Sequence, residues 1–259
     1  MRPRRGVPGG RPAPAPTGST RGPLSLARAL SKFGVCSRKE AGRWIEAGRV
    51  AVNGRPARWP QARIDPRRDR VSVDGAPVGD DTERVVLALH KPVGFITSRG
   101  DPGGRATVYD LLGGFGRWVF PVGRLDRDTS GLLILTNDTE FGDRLLNPVS
   151  KIPKTYYVKV SGLIDPKQYF DLAFGMDIGR GEASGPAAIR EVRRTEKYTW
   201  FELTITEGKN RQVRRMCEAI DRPVLKLVRI SIGKYPLGKL PVGEFVRLGP
   251  PDLRKLLTS

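Results

Sequence analysis

The sequence is poor in the residues that most often bind metals or cross-link a chain: 259 residues include two cysteines and one histidine. Cys36 and Cys217 lie far apart, so neither a disulfide framework nor a cysteine-rich zinc site is expected. His90, within the apolar stretch VVLALHKP, is the only base available to a Ser-His-Asp or Cys-His scheme, and an isolated histidine is more often structural. This cysteine usage is typical of a reducing compartment, and we expect a cytoplasmic protein.

Long apolar runs and cofactor-binding loops are also missing. No stretch approaches the roughly 18 consecutive apolar residues of a membrane span, and the runs at 85–89 and 132–135 have the length of strands. We therefore expect no membrane partner. The sequence contains no Walker-type loop, no GxGxxG after a strand and no nucleophile elbow, which argues against an ATP-dependent enzyme or a methyltransferase. Chemistry without a cofactor must use carboxylates, hydroxyls, phenols and guanidinium groups.

Acidic residues are the scarcer of the two charge signs. The chain has 46 Lys plus Arg against 27 Asp plus Glu, a net charge of +19. Arginine makes up 33 of the 46 cations, and its planar fork suits phosphate contacts and base stacking. A solvated basic surface is the alternative, but so large an excess repels itself and favours a nucleic-acid partner.

Residues 1–22 contain five arginines, five prolines and no acid, without apolar periodicity. This composition predicts a disordered basic tail that touches RNA. A secretory signal would need an apolar segment, which is absent here.

Residues 23–80 predict a small module of two helices and a hairpin. Leu26, Leu30 and Phe33 have helical spacing, SRKE at 37–40 is a capping box that opens a second helix, and Asn53-Gly54 indicates a type I′ turn. The basic residues crowded here are candidate RNA ligands: Arg38, Lys39, Arg43 and Arg49. A basic helical hairpin used only for packing is the alternative. The acidic residues Asp80, Asp81 and Glu83 place the domain boundary there.

Residues 81–259 read as a larger α+β domain with a mixed, mostly antiparallel sheet flanked by helices. Strands are predicted at 85–90, 118–122, 132–136, 155–160, 187–192, 198–206 and 224–232. Helices are predicted at 106–112, 140–146, 166–174 and 211–220.

The stretch GRLDRDTSG at 123–131, here called the acidic turn, precedes the apolar strand at 132–136. Asp126 is the leading candidate for a reactive carboxylate, because Arg124 and Arg127 beside it can steer phosphate. Asp128, followed by Thr129, Ser130 and Gly131, is more typical of an Asx turn that organises the loop. Alone, the turn also admits the interpretation that both aspartates serve only its conformation.

The sequence resembles two known families. The S-four RNA-binding domain is similar to two stretches of the first part, LARALSKFGVCSRKEAGRWIEAGRVAVNG and DRVSVDG. The second part resembles the ribosomal-RNA pseudouridine synthases of the Rsu family, which carry the two domains in this order. The stretches that carry this resemblance are GRLDRDTSGLLILTND, LHKPVGFITS, KTYYVKVSG and EGKNRQVRRM. DPGGRATVYD looks more like the members that act on large-subunit RNA.

The second resemblance implies the site. Asp126 matches the family's essential aspartate, Tyr156 its active-site tyrosine and Arg214 the arginine that pairs with the aspartate; on helical spacing Arg211, Arg214 and Arg215 face the helix edge. It also implies action on ribosomal RNA, and no small-molecule cofactor is needed because one nucleotide is rearranged internally. We expect a monomer. The aspartate either attacks the first ribose carbon or takes a proton from the second. A non-catalytic ribosome-assembly factor that kept the fold is the alternative.

Overall fold

The computed structural model describes residues 23–79 and 83–258. The basic tail predicted at 1–22 and the first residues of the predicted boundary, 80–82, lie outside the described residues, as does Ser259.

The first part of the chain forms two short helices beside a small sheet. Its elements are β1 Leu24–Ser25, α1 Leu26–Lys32, α2 Arg38–Glu46, β2 Val50–Val52, β3 Arg55–Pro56, β4 Arg63–Ile64, β5 Val71–Val73 and β6 Ala76–Val78. β1 pairs with β4, and the other strands form an antiparallel sheet in the order β3-β2-β5-β6. These elements share a hydrophobic core of their own, centred on Leu26, Leu30 and Ile45.

Local sequence signals explain these elements. The Ser37 hydroxyl accepts from the Glu40 backbone N–H at 3.2 Å, which caps α2 as predicted. Asn53 and Gly54 both have positive φ, 53° and 79°, as the type I′ hairpin requires. The Glu40 carboxylate does not complete the capping box; it pairs with Arg99 of the second part of the chain.

The second part is built on one large mixed sheet. Its strands are β7 Val86–Lys91, β8 Phe120–Val122, β9 Ser130–Thr136, β10 Lys154–Ser161, β11 Ala188–Arg194, β12 Tyr198–Ile205, β13 Val224–Ile232, β14 Tyr235–Pro236 and β15 Phe245–Arg247. The order is β11-β12-β10-β13-β9-β7-β15, with β14 beside β13 and β8 beside β9. Among these pairs β9 and β13 run parallel and the others antiparallel. The predicted α+β fold with a mostly antiparallel sheet is confirmed.

Helices cover both faces of this sheet. They are α3 Thr139–Leu146, α4 Pro166–Phe174, α5 Gln212–Ala219 and α6 Pro250–Leu256. Alternate residues of β9 enter different cores: Leu133 packs with residues of α4 and α5, whereas Leu132 packs with residues of α3 and α6. The period of two therefore places one core on each side of the central strands.

The prediction was wrong in two places. The helix expected at 106–112 is only a 3-10 turn, Asp110–Leu112, because the Thr107 N–H donates to the Asp110 carboxylate and Thr107 forms a β-bridge with Ile96. No element was predicted after residue 232, where β14, β15 and α6 form. No helix of the described part is long and apolar enough to cross a membrane.

Candidate active site

The acidic turn joins β8 to β9 and forms one wall of a cavity of about 450 Å³. Asp126 reaches this cavity, and its side chain is 33% exposed. The opposite walls come from β10, β13 and the start of α5. The lining includes the side chains of Arg124, Asp126, Lys154, Tyr156, Arg211, Arg214 and Arg229.

Lys91 holds the acidic turn from beneath. Its side chain is fully buried, and its ammonium group donates to the carbonyls of Pro92, Asp126 and Thr129 at 2.8–2.9 Å. Burial lowers the pKa of Lys91 to about 8, and the charges of Asp126 and Asp128 oppose that shift. Sequence reasoning missed Lys91; the available signal was a single lysine at the end of the apolar strand VLALHK.

A second contact fixes the residue before Asp126. The Thr97 hydroxyl donates to the Leu125 carbonyl at 2.8 Å and lies 3.2 Å from the Leu125 N–H, which donates to it. The turn is thus anchored on both sides of Asp126, and the carboxylate projects from a backbone that is fixed in place.

Among the described residues, Arg211 pairs with the Asp126 carboxylate. Its Nη1 lies 3.6 Å from Asp126 and 3.4 Å from Asp128, at the capping position of α5, where Arg211 has a φ of +49°. This left-handed position turns the chain into the helix and brings the guanidinium over the acidic turn. Arg211 therefore neutralises both carboxylates on their exposed side.

Arg214 does not pair with Asp126, and this expectation was wrong. Its Nε lies 3.1 Å from the carboxylate of Asp128, and its Nη2 donates to the Asp128 carbonyl at 2.9 Å. Nor does Arg214 face an exposed helix edge, because its side chain is only 8% exposed. Arg215, expected at the same edge, is equally buried and binds the carbonyls of Ile178 and Gly179.

Asp128 has a different role from the Asx turn expected of it. Its carboxylate lies between Arg211 and Arg214, and the tight backbone contact in the turn runs instead from the Thr129 N–H to the Asp126 carbonyl. Asp128 therefore links the acidic turn to α5.

Tyr156 lies in the cavity wall, and its side chain is buried. The alternation along β10 places Tyr157 on the opposite face, where its ring packs 5.2 Å from that of Trp200. This confirms that only Tyr156 of the pair faces the site. Arg124, Asp126, Tyr156, Arg211 and Arg214 thus meet at one cavity although they come from three separate stretches of the sequence.

Comparison with known proteins identifies the fold's family. The family described as RNA pseudouridylate synthase matches residues 85–219, and the S4 domain, our S-four domain, matches residues 25–71. The chain belongs to the RNA pseudouridylate synthase family. It is an RNA pseudouridine synthase, as the resemblance implied, and the non-catalytic alternative is not supported.

Individual relatives agree with this membership. The synthase is 41% identical to an uncharacterized RNA pseudouridine synthase of Aquifex aeolicus (strain VF5), over 89% of this chain and 92% of the relative. It is 37% identical to the ribosomal large subunit pseudouridine synthase B of Bacillus subtilis (strain 168), over 89% and 94%. A crystal structure of a pseudouridylate synthase superposes with a TM-score of 0.64 at 27% identity, covering 90% of this chain and 99% of that one.

The basic residues predicted to bind RNA lie on two surfaces of the synthase. Arg38, Lys39, Arg43 and Arg49 are exposed on or just after α2. Arg124 and Arg211 are exposed residues of the cavity lining, and Arg127 is exposed on the acidic turn beside it. Arg49 is partly engaged, because it pairs with Asp74 and lies over the ring of Trp44. In the described residues no group of three or more His, Cys, Asp or Glu side chains is placed to hold a metal ion.

Proposed function

We propose that this synthase converts a uridine of ribosomal RNA, in the large subunit, to pseudouridine, with Asp126 as the reacting carboxylate. The observation that carries the proposal is the Asp126 side chain, which projects into the cavity from a turn anchored by Lys91 and Thr97. The choice of RNA is supported by the relatives named ribosomal large subunit pseudouridine synthase B, among them those of Bacillus subtilis and Escherichia coli.

The reaction replaces a carbon-nitrogen glycosidic bond by a carbon-carbon bond within one nucleotide. It needs no added atom or electron, and we propose that no small-molecule cofactor takes part. Asp126 either attacks the first ribose carbon or removes a proton from the second while uracil turns to present its carbon 5. Both routes use the charge of this carboxylate, and the Arg211 guanidinium lies 3.6 Å from it.

Tyr156 and Arg214 support this carboxylate differently. The Tyr156 ring offers a flat wall on which a uracil ring can stack while it is detached. Arg214 acts through Asp128 and positions the acidic turn relative to α5. Tyr156 is therefore a substrate contact in this proposal and Arg214 a positioning residue.

RNA delivery falls to the first domain, which we place at residues 23–80, and chemistry to residues 81–259. The target uridine must leave its stack, which costs a few kcal/mol that other RNA contacts must offset. The exposed cations of α2 and of the cavity mouth supply such contacts in a protein of charge +19. We propose that the synthase works as a monomer in the cytoplasm.

The proposal is tested by assaying pseudouridine in large-subunit RNA incubated with the purified protein. Asp126→Asn keeps the shape of the side chain and removes its charge, so we expect no detectable product, with RNA binding and thermal stability unchanged. Asp143→Asn, at an exposed position of α3, is the matched control and should retain full activity. Activity of Asp126→Asn equal to that of the control would refute the assignment.

A further inference from the structure

Lys154 and Arg229 are cations of the cavity wall that are at least partly buried and have no carboxylate partner among the described residues; Arg124, which also has none, is exposed. They lie on the neighbouring strands β10 and β13, and Arg229 stands opposite Tyr156 in the register of the two strands. Lys154 precedes Tyr156 by two residues and shares its face of β10. The two cations thus flank the aromatic ring on which we expect uracil to stack.

The environment of Arg229 is unusual for a guanidinium group. The residue is only 4% exposed, and its Nε donates to the Leu132 carbonyl at 2.7 Å. Its Nη2 is buried without a hydrogen-bond partner in the described structure. A buried cation is costly unless it is paired, so the free protein holds Arg229 in an incompletely satisfied state.

The backbone at Gly131 packs closely against the backbone at Arg229. A Cβ added at Gly131, which has a φ of +111°, would lie 2.3 Å from the Arg229 carbonyl oxygen and 2.5 Å from its nitrogen. The acidic turn and β13 therefore meet backbone to backbone at Arg229. Arg229 and Asp126 line the same cavity, so a group that binds Arg229 there lies in the cavity that Asp126 reaches.

Lys154 is similarly uncompensated. Its ammonium group donates to the Ile152 carbonyl at 3.1 Å, which leaves further N–H groups to donate. Burial lowers the pKa of Lys154, and the positive charge of Arg229 lowers it further, so the two cations repel each other. Lys91 differs, because the carboxylates of Asp126 and Asp128 offset its burial.

We propose that Lys154 and Arg229 form an oxyanion-binding subsite for the target nucleotide. This subsite is occupied only when substrate is bound. The inference rests on the proposed function and adds two substrate-binding residues to it. Charge-assisted hydrogen bonds to an anionic oxygen would satisfy the open donors and relieve the repulsion between the two cations. A substrate anion is the compensating charge that the protein itself does not supply.

Two oxygens of the nucleotide have this chemistry. One is a phosphate oxygen, which is charged throughout. The other is a uracil carbonyl oxygen, which gains charge when the glycosidic bond breaks and the ring keeps the electron pair, until that pair forms the new bond from carbon 5. A phosphate contact strengthens binding before reaction, whereas a uracil contact acts on the transition state.

The test compares full-length Lys154→Met, Lys154→Arg and Arg229→Lys with Lys159→Met. Lys159 lies on the same strand but on its outer face, over the rings of Tyr198 and Trp200, and serves as the matched control. Titration calorimetry measures the affinities of uridine and uridine 5′-monophosphate, and turnover is measured on an RNA fragment. Thermal unfolding checks that each variant is folded, and Lys154→Arg should restore what Lys154→Met loses.

If the subsite holds phosphate, wild-type protein binds the monophosphate about tenfold tighter than uridine or more, and Lys154→Met reduces that preference to about twofold. If it holds the uracil oxygen, the two ligands bind alike, and Lys154→Met lowers kcat by about tenfold or more with little change in KM. Affinities and kcat equal to those of Lys159→Met in both Lys154→Met and Arg229→Lys would overturn the inference. The titrations need no turnover, so a preference for the monophosphate that Lys154→Met removes would support the subsite even if the wild-type protein were inactive, and that inactivity would refute the proposed function alone.

Discussion

Asp128, not Asp126, is the partner of the buried Arg214: Arg214 Nε lies 3.1 Å from the Asp128 carboxylate, and Nη2 donates to the Asp128 carbonyl. The two aspartates of the acidic turn thereby have separate roles. Asp126 is left to face the cavity, whereas Asp128 fixes the turn against α5.

The first prediction concerns Asp128→Asn. An asparagine would have preserved an Asx turn, but it removes the charge that compensates Arg214. We expect kcat to fall by about tenfold or more and the free energy of unfolding to drop by about 1–2 kcal/mol. This loss is smaller than that for breaking a fully buried ion pair, because Asp128 is half exposed. Pseudouridine assays and thermal unfolding check both. Wild-type turnover with unchanged stability would restore the Asx-turn interpretation.

The second prediction concerns Lys91→Met, which removes three hydrogen bonds to backbone carbonyls. At about 1 kcal/mol for each, we expect a stability loss of about 3 kcal/mol, together with a large fall in kcat as the acidic turn loosens. The variant should still bind RNA, because Lys91 is fully buried and cannot touch it. Near wild-type kcat in a folded variant would show that the turn is held without Lys91.

The difference in free energy of unfolding between wild type and Lys91→Met should depend on pH. The folded pKa of Lys91 is about 8, below its ordinary value of 10.5, so the unfolded chain binds more protons between these pH values. Stability contributed by Lys91 therefore rises with pH in this window. We expect the free energy of unfolding of wild type, relative to Lys91→Met, to increase from pH 8 to pH 10 in denaturant titrations. A constant or falling difference would contradict the lowered pKa.

The third prediction concerns Gly131→Ala. The added methyl group would overlap the Arg229 backbone, and alanine is strained at a φ of +111°. We expect a loss of about 2–5 kcal/mol, with activity falling as Asp126 and Arg229 separate. Gly100→Ala is the control, because a Cβ there meets nothing within 4 Å. Equal melting temperatures for the two variants would show that the strands adjust freely.

Much of the architecture could be predicted from the sequence, because apolar alternation and capping signals are local. The strand at 132–136 and the helix at 166–174 are nearly or fully as predicted, since each has a buried face and clear end signals. The predicted helix at 106–112 failed because side chains of Thr107 and Asp110 bind the local backbone and the segment joins Ile96.

The partners of charged residues were harder to predict. Helical spacing predicts one buried face on α5. Arg215 lies on the opposite face, yet it is buried because it donates to the loop carbonyls of Ile178 and Gly179. Arg214 was assigned to Asp126, but it pairs with Asp128. The two aspartates are only two residues apart in the sequence, and the path of the turn decides which of them meets Arg214. The catalytic role of Asp126 and the substrate contact of Tyr156 stay predictions, whereas membership of the synthase family is confirmed.

The last prediction concerns Arg99, which joins the two parts of the chain. Its Nη1 donates to the Ser37 hydroxyl at 2.5 Å at the start of α2, and it also pairs with Glu40 and lies 4.3 Å from the centre of the Trp118 ring. Two residues earlier, Thr97 binds Leu125 beside Asp126. Helix α2 and the acidic turn are thus connected through one short segment.

We expect Arg99→Ala to leave each domain folded but to loosen their contact. Because an RNA held by α2 would then present its uridine less accurately to Asp126, kcat/KM on a folded RNA fragment should fall by about fivefold to tenfold. Small-angle scattering should show a larger radius of gyration, and binding of uridine 5′-monophosphate at the cavity should not change. Arg144→Ala, at an exposed position of α3, is the control. An Arg99→Ala variant with the control's kcat/KM and radius of gyration would show that the domains keep their arrangement without this residue.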